Sequence, residues 1–132
     1  MRHYARANAG ATVAQVVAAA QDWQRWVPAL GVTSVEPSGS TFAVALGGPR
    51  PFRVRLAVTA VEDGVAAVLV EGDVPALELR VRAQAEGEGT SVELTLDWQP
   101  PGHLSGALQA TIGADLLPRA LAALMATSNA LT

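Results

Sequence analysis

At 132 residues, half of them hydrophobic and 16% charged, the chain has the size and composition of one globular domain, long enough for one core and too short for two. The net charge is −3 and all nine basic residues are Arg, dispersed among acids, which excludes the clustered positive charge of a nucleic-acid surface. Without cysteine there is no disulfide framework or thiolate metal site, and no stretch approaches the roughly 20 apolar residues of a membrane span. The expectation is a single domain over residues 1–132, soluble and cytoplasmic.

In chain order, His3 to Asn8 is a short strand, closed by Ala9-Gly10-Ala11. Thr12 is placed to cap a first helix over Val13 to Gln21, where Val13, Val16, Val17 and Ala20 recur at helical spacing. Asp22 is a second cap, and Trp23 and Trp26 share one face of a second short helix that Pro28 ends.

From Val32 to Gln99 the period changes to two. Val32 to Glu36, Thr41 to Leu46, Phe52 to Val61, Val65 to Glu71, Ala76 to Ala85 and Ser91 to Trp98 read as six strands joined by short Gly/Pro/Ser/Asp-containing links. Links this short make a meander, so the sheet is expected to be antiparallel. Phe52, Val54, Leu56 and Val58 oppose Arg53, Arg55 and Thr59; Leu77, Leu79, Val81 and Ala83 oppose Glu78, Arg80, Arg82 and Gln84; Val92, Leu94, Leu96 and Trp98 oppose Glu93, Thr95 and Asp97. One face is therefore dry, and the other is a solvated face of cross-strand ion pairs.

Pro100-Pro101-Gly102 stops the last strand, and His103 to Leu131 is helical in character. Leu104, Ala107, Leu108, Thr111 and Ile112 share a face, whereas Leu117, Leu121, Leu124, Met125 and Ser128 fall near the opposite side of a straight helix. Gly113 and Pro118 lie between the halves, which predicts a kink or break within Gly113 to Pro118. The alternative is a straight helix whose second apolar face meets another subunit, as in a homodimer.

Strand, two short helices, six-strand meander and long final helix is the element order of the helix-grip fold. Asp22-Trp23-Gln24-Arg25-Trp26-Val27-Pro28 resembles the D-x-x-x-W-x-P stretch after the first helix in the SRPBCC or START-like superfamily, in its polyketide cyclase/dehydrase and coenzyme-Q-binding-protein branch. The resemblance spans essentially the whole chain. It implies an α+β fold in which a curved seven-stranded antiparallel sheet wraps a long C-terminal helix over a cavity for a lipid, polyketide or quinone-like molecule. By that analogy the cavity walls are Trp26, Phe52, Val54, Leu56, Leu79, Leu94, Leu96, Trp98, Leu108 and Ile112. Apolar inward residues are core by default, so each of these also fits plain packing.

Catalysis in such a cavity needs a titratable or strongly hydrogen-bonding group that reaches it. His3 is in phase with the inward Ala5 and Ala7; Asp115 reaches the pocket side if the helix runs unkinked; Thr111 offers a neutral hydrogen bond. His3 and Asp115 also have plainer roles, a solvated histidine near the terminus and an Asp capping the helix segment after Gly113. His103, after a Pro-Pro-Gly turn, is read as opening the last helix. The two histidines stand far apart in sequence, so no metal site or cofactor is expected. No phosphate-cradling loop and no G-x-S-x-G elbow is present. The expected function is binding of a hydrophobic small molecule; the alternatives are a cyclase-like enzyme and a protein-interaction module.

Overall fold

The computed structural model describes residues 2–30, 34–39, 41–46, 52–99 and 106–130. In β1 (Arg2–Ala9) the residues alternate, with Arg2, Tyr4, Arg6 and Asn8 exposed and His3, Ala5, Ala7 and Ala9 turned inward. α1 (Val13–Gln21) begins with a capping box: the Gln15 amide donates to Thr12 Oγ1 at 3.2 Å and the Thr12 amide to Gln15 Oε1 at 2.8 Å. It buries Val16, Ala19 and Ala20.

The second helix expected from the sequence is two single 3₁₀ turns, Trp23–Arg25 and Val27–Leu30, and Pro28 lies inside the second of them. In a 3₁₀ turn residues three apart eclipse, so both tryptophans still reach the interior. Trp23 stacks on Phe42 with ring centroids 4.0 Å apart. Trp26 is buried, and its indole N–H donates to the Ala20 carbonyl at 3.1 Å.

β2 (Ser34–Ser38), β3 (Thr41–Leu46), β4 (Phe52–Val61), β5 (Gly64–Gly72), β6 (Leu77–Glu86) and β7 (Gly89–Trp98) form an antiparallel meander. β1 closes the far side against β7, from Arg2↔Asp97 to Ala9↔Thr90, giving the seven-stranded order β1-β7-β6-β5-β4-β3-β2. Strand bounds lie within two residues of those read from the sequence; the segments 31–33, 47–51 and 100–105, where Val32, Gly47-Gly48-Pro49 and Pro100-Pro101-Gly102 fall, lie outside the described residues. Between β4 and β5 the register shifts, with Leu56 facing Leu69 and Arg55 facing Glu71, so Val70 is the extra residue of a bulge. The β5–β6 ladder ends at Val68↔Glu78, before β5 itself ends.

The C-terminal helix answers its reversed apolar phase without stopping. α2 (Gly106–Thr111) runs into a π-helical turn over Ile112–Leu116, where the Leu117 amide donates to the Ile112 carbonyl, and on into α3 (Leu117–Ala130). An i→i+5 turn holds one residue more than an α turn, which swings the downstream half of the helix back by about 100°. Ile112, Leu117, Ala120, Leu121 and Leu124 are thereby all buried. α3 packs on α1 and across β1, where alanines permit a close approach. Each buried leucine contributes about 1.5–3 kcal/mol.

Candidate functional site

The inner face of β4, β6 and β7 is apolar save for Thr90 at the start of β7, as period-two alternation requires: Phe52, Val54 and Leu56 of β4, Leu77, Leu79, Val81 and Ala83 of β6 and Val92, Leu94, Leu96 and Trp98 of β7 are buried. Ile112, in the π turn, closes over the strand ends. Between them lies an apolar cavity of about 30 Å³ lined by Val27, Val44, Phe52, Val54, Leu56, Leu77, Leu79, Leu96, Trp98 and Ile112. That volume admits one or two waters and has almost no polar atom to hold them, so it is a dry void. It is far below the roughly 300 Å³ at which ordinary ligand pockets begin.

Of the residues anticipated as walls, Phe52, Val54, Leu56, Leu79, Leu96, Trp98 and Ile112 surround this cavity. Trp26 borders a second void of about 10 Å³, against Trp23 and Phe42. Leu94 is fully buried and borders neither. The side chain of Leu108 and all of His103 lie outside the described residues. Val27, Val44 and Leu77 were missed as walls; Leu77 carried the same alternation as Leu79, whereas Val27 opens a 3₁₀ turn, where no alternation marks it.

Leu77 and Trp98 have a second role. They also line an open groove, together with apolar Val68, Leu69, Pro75 and Ala76 and polar Glu78, Asp97 and Gln99, at the place where the β5–β6 ladder has ended. These two side chains therefore border both the cavity and the groove. Trp98 is held by Phe52, with ring centroids 5.6 Å apart.

The polar candidates separate. Asp115 and Thr111 are exposed, and Thr111 Oγ1 donates to the Ala107 carbonyl at 3.0 Å within its own helix. His3 is half-buried, on the inner face of β1 and directly opposite Leu96. Its Nε2 is shielded from solvent and makes no hydrogen bond. A nitrogen buried in this way costs about 1–3 kcal/mol. Two buried hydroxyls, by contrast, are satisfied: Thr90 Oγ1 donates to the Ala11 carbonyl at 2.6 Å and Ser128 Oγ to that of Leu124 at 2.8 Å.

The outer face carries the expected cross-strand ion pairs in Arg2–Asp97 and Arg55–Glu71, with Arg80–Glu78 inside β6, Arg6–Glu86 between β1 and the end of β6, and Arg82–Asp63 between β6 and the β4–β5 turn. In the last of these Arg82 Nε donates to Asp63 Oδ2 at 2.6 Å, and this hydrogen bond holds the carboxyl below its ordinary range. Among the described residues no three His, Cys, Asp or Glu side chains cluster as metal ligands, and no helix is long and apolar enough to cross a membrane.

No protein-family model matches the sequence, and no curated protein matches it significantly. Solved structures do match the fold over nearly all of both chains. A protein from Thermus thermophilus superposes with a TM-score of 0.77 at 21% identity, over 100% of this chain and 99% of its own. A START superfamily protein from Mycobacterium smegmatis gives 0.74 at 15%, over 99% of each chain. The Zhui aromatase/cyclase from a Streptomyces species gives 0.70 at 13%, over 98% of this chain and 93% of its own. The chain thus has the helix-grip fold of START-like proteins.

Proposed function

We propose that this chain binds a hydrophobic small molecule between the sheet and the C-terminal helix, in a site that closes to a small void when empty. The observation that carries this reading is the cavity itself: every lining side chain is apolar, and it sits where the helix turns π-helical. Its small size is a consequence of energetics. Holding a dry cavity of about 300 Å³ open costs roughly 7 kcal/mol at ~24 cal/mol per Å³. That rivals the whole stability of a domain, about 5–15 kcal/mol, so an empty pocket of this kind collapses and a ligand of matching shape offsets the cost of reopening it. Leu77 and Trp98, which border both cavity and groove, are the side chains whose displacement admits the ligand.

Native mass spectrometry of the purified protein, with solvent extraction of whatever is bound, tests the reading alongside an NMR titration with 2-methylnaphthalene. The expected outcome is a small apolar adduct, or saturable shifts at Leu79, Leu96 and Trp98. A bare chain that also ignores the probe refutes it.

A cyclase-like reaction is the second reading, favoured by one observation. With Thr111 and Asp115 exposed, it rests on the inward ring of His3 alone.

A further inference from the structure

We infer that His3 is the polar anchor of the bound molecule, and hence that the ligand is an apolar body ending in one oxygen function, a hydroxyl or a carbonyl. The inference rests on the binding reading above and names the chemistry of one end of that ligand. Three observations converge on it. The His3 ring shares the inner face of β1 with Ala5, Ala7 and Ala9, which present no polar side-chain atom. Its cross-strand partner is Leu96, a wall of the cavity, and side chains directly opposite on an antiparallel pair stand about 5 Å apart at Cβ. Its Nε2 is buried without a hydrogen-bond partner.

His3 does not line the closed cavity, but growth of that cavity past Leu96 reaches the ring. A neutral imidazole nitrogen either donates or accepts, according to tautomer, so a hydroxyl suits both forms and a carbonyl the donor form. Arg80 Nε also lacks an acceptor, yet it lies on the outer face, where Nη2 pairs with Glu78 at 2.9 Å. It has no access to the cavity and makes no comparable claim.

The test uses 2-naphthol and 2-methylnaphthalene, which differ in little but a hydroxyl against a methyl, titrated into the wild type, His3→Phe and His3→Gln by tryptophan fluorescence. The wild type is expected to favour 2-naphthol over its methyl analogue by roughly three- to tenfold, relative to their partitioning into octanol. His3→Phe abolishes that preference by weakening 2-naphthol alone, and His3→Gln keeps part of it. In the wild type the His3 Nε2 resonance shifts with 2-naphthol and not with 2-methylnaphthalene, a readout that needs no variant to fold. A preference that survives His3→Phe, or a resonance that responds to neither bound probe, overturns the anchor and leaves the cavity reading standing. Failure of both probes to bind the wild type overturns the two together.

Discussion

Leu79 borders both the 30 Å³ cavity under Ile112 and the 10 Å³ space beside Trp26. Leu79→Ala removes three carbons, a transfer loss of roughly 2.4 kcal/mol at ~0.8 kcal/mol each. It also fuses the voids with the space left behind. If the merged hole is on the order of 100 Å³, it adds about 2.4 kcal/mol at ~24 cal/mol per Å³. The sum, near 5 kcal/mol, is at the top of the range for buried leucines, and it should lower Tm by about 15–25 °C in a chain of this length. Urea unfolding followed by tryptophan fluorescence measures the loss. Benzene should then restore part of it, since a dry hole lined by Leu, Val and Phe takes up such a solute, and about 2.7 kcal/mol returns at a hundred times Kd. A loss below about 2 kcal/mol with no response to benzene would show that the walls relax inward, and the cavity argument would fall with it.

Gly64 pairs with Arg82, and a Cβ on it would lie 1.8 Å from the Val81 carbonyl oxygen. Gly64→Ala must therefore push β5 from β6, with an expected cost above about 3 kcal/mol or an insoluble product; a Tm within 2 °C of wild type, roughly half a kcal/mol, contradicts the packing described. Trp26→Phe deletes the indole N–H that satisfies the buried Ala20 carbonyl, so it should cost about 2 kcal/mol in urea while leaving 2-methylnaphthalene affinity within twofold. A large change in probe affinity would instead place Trp26 among the ligand contacts. The Arg82 hydrogen bond lowers the Asp63 pKa in the folded chain, so the unfolded chain takes up this proton first as pH falls. The contribution is complete above about pH 4 and is lost as pH drops through the folded value; Asp63→Asn should flatten that part of the urea midpoint profile, and superimposable profiles would rule the linkage out.

The strands were legible because their signal is local. Phe52 to Leu56 alternates without exception, and one buried face is enough to fix both register and side. The direction of His3 came from the same parity, whereas its lack of a partner depends on what packs around it and left no trace in the sequence. The helix is the instructive intermediate case. The misfit between Ile112 and Leu117 showed that the phase had to change near Gly113; that the chain would insert a wide turn and keep its hydrogen bonds, instead of breaking, was settled by packing on β1 and α1. Pro28 misled for a related reason, since a proline early in a helical turn forfeits no hydrogen bond and need not end one. Cavity volume was the least legible property. It is a small difference between side-chain volumes on opposed elements, and Leu94, equal to Leu96 by pattern, packs solid while Leu96 borders the void.

The pairing of β1 with β7 sets an order of events for the chain as it is made. Arg2 and Asp97 stand opposite each other yet are 95 residues apart, so β1 leaves the ribosome well before β7, the strand that becomes its neighbour. At ~5–20 residues per second that interval is on the order of 5–20 s. Throughout it β1 is an unpaired strand, with backbone groups free to template a wrong partner. Arg2 and Arg6 on one side and the small Ala5, Ala7 and Ala9 on the other make it a poor template, lacking the apolar, uncharged run that aggregation needs. The composition that gives this strand so weak a hold on its own is what keeps it available for β7.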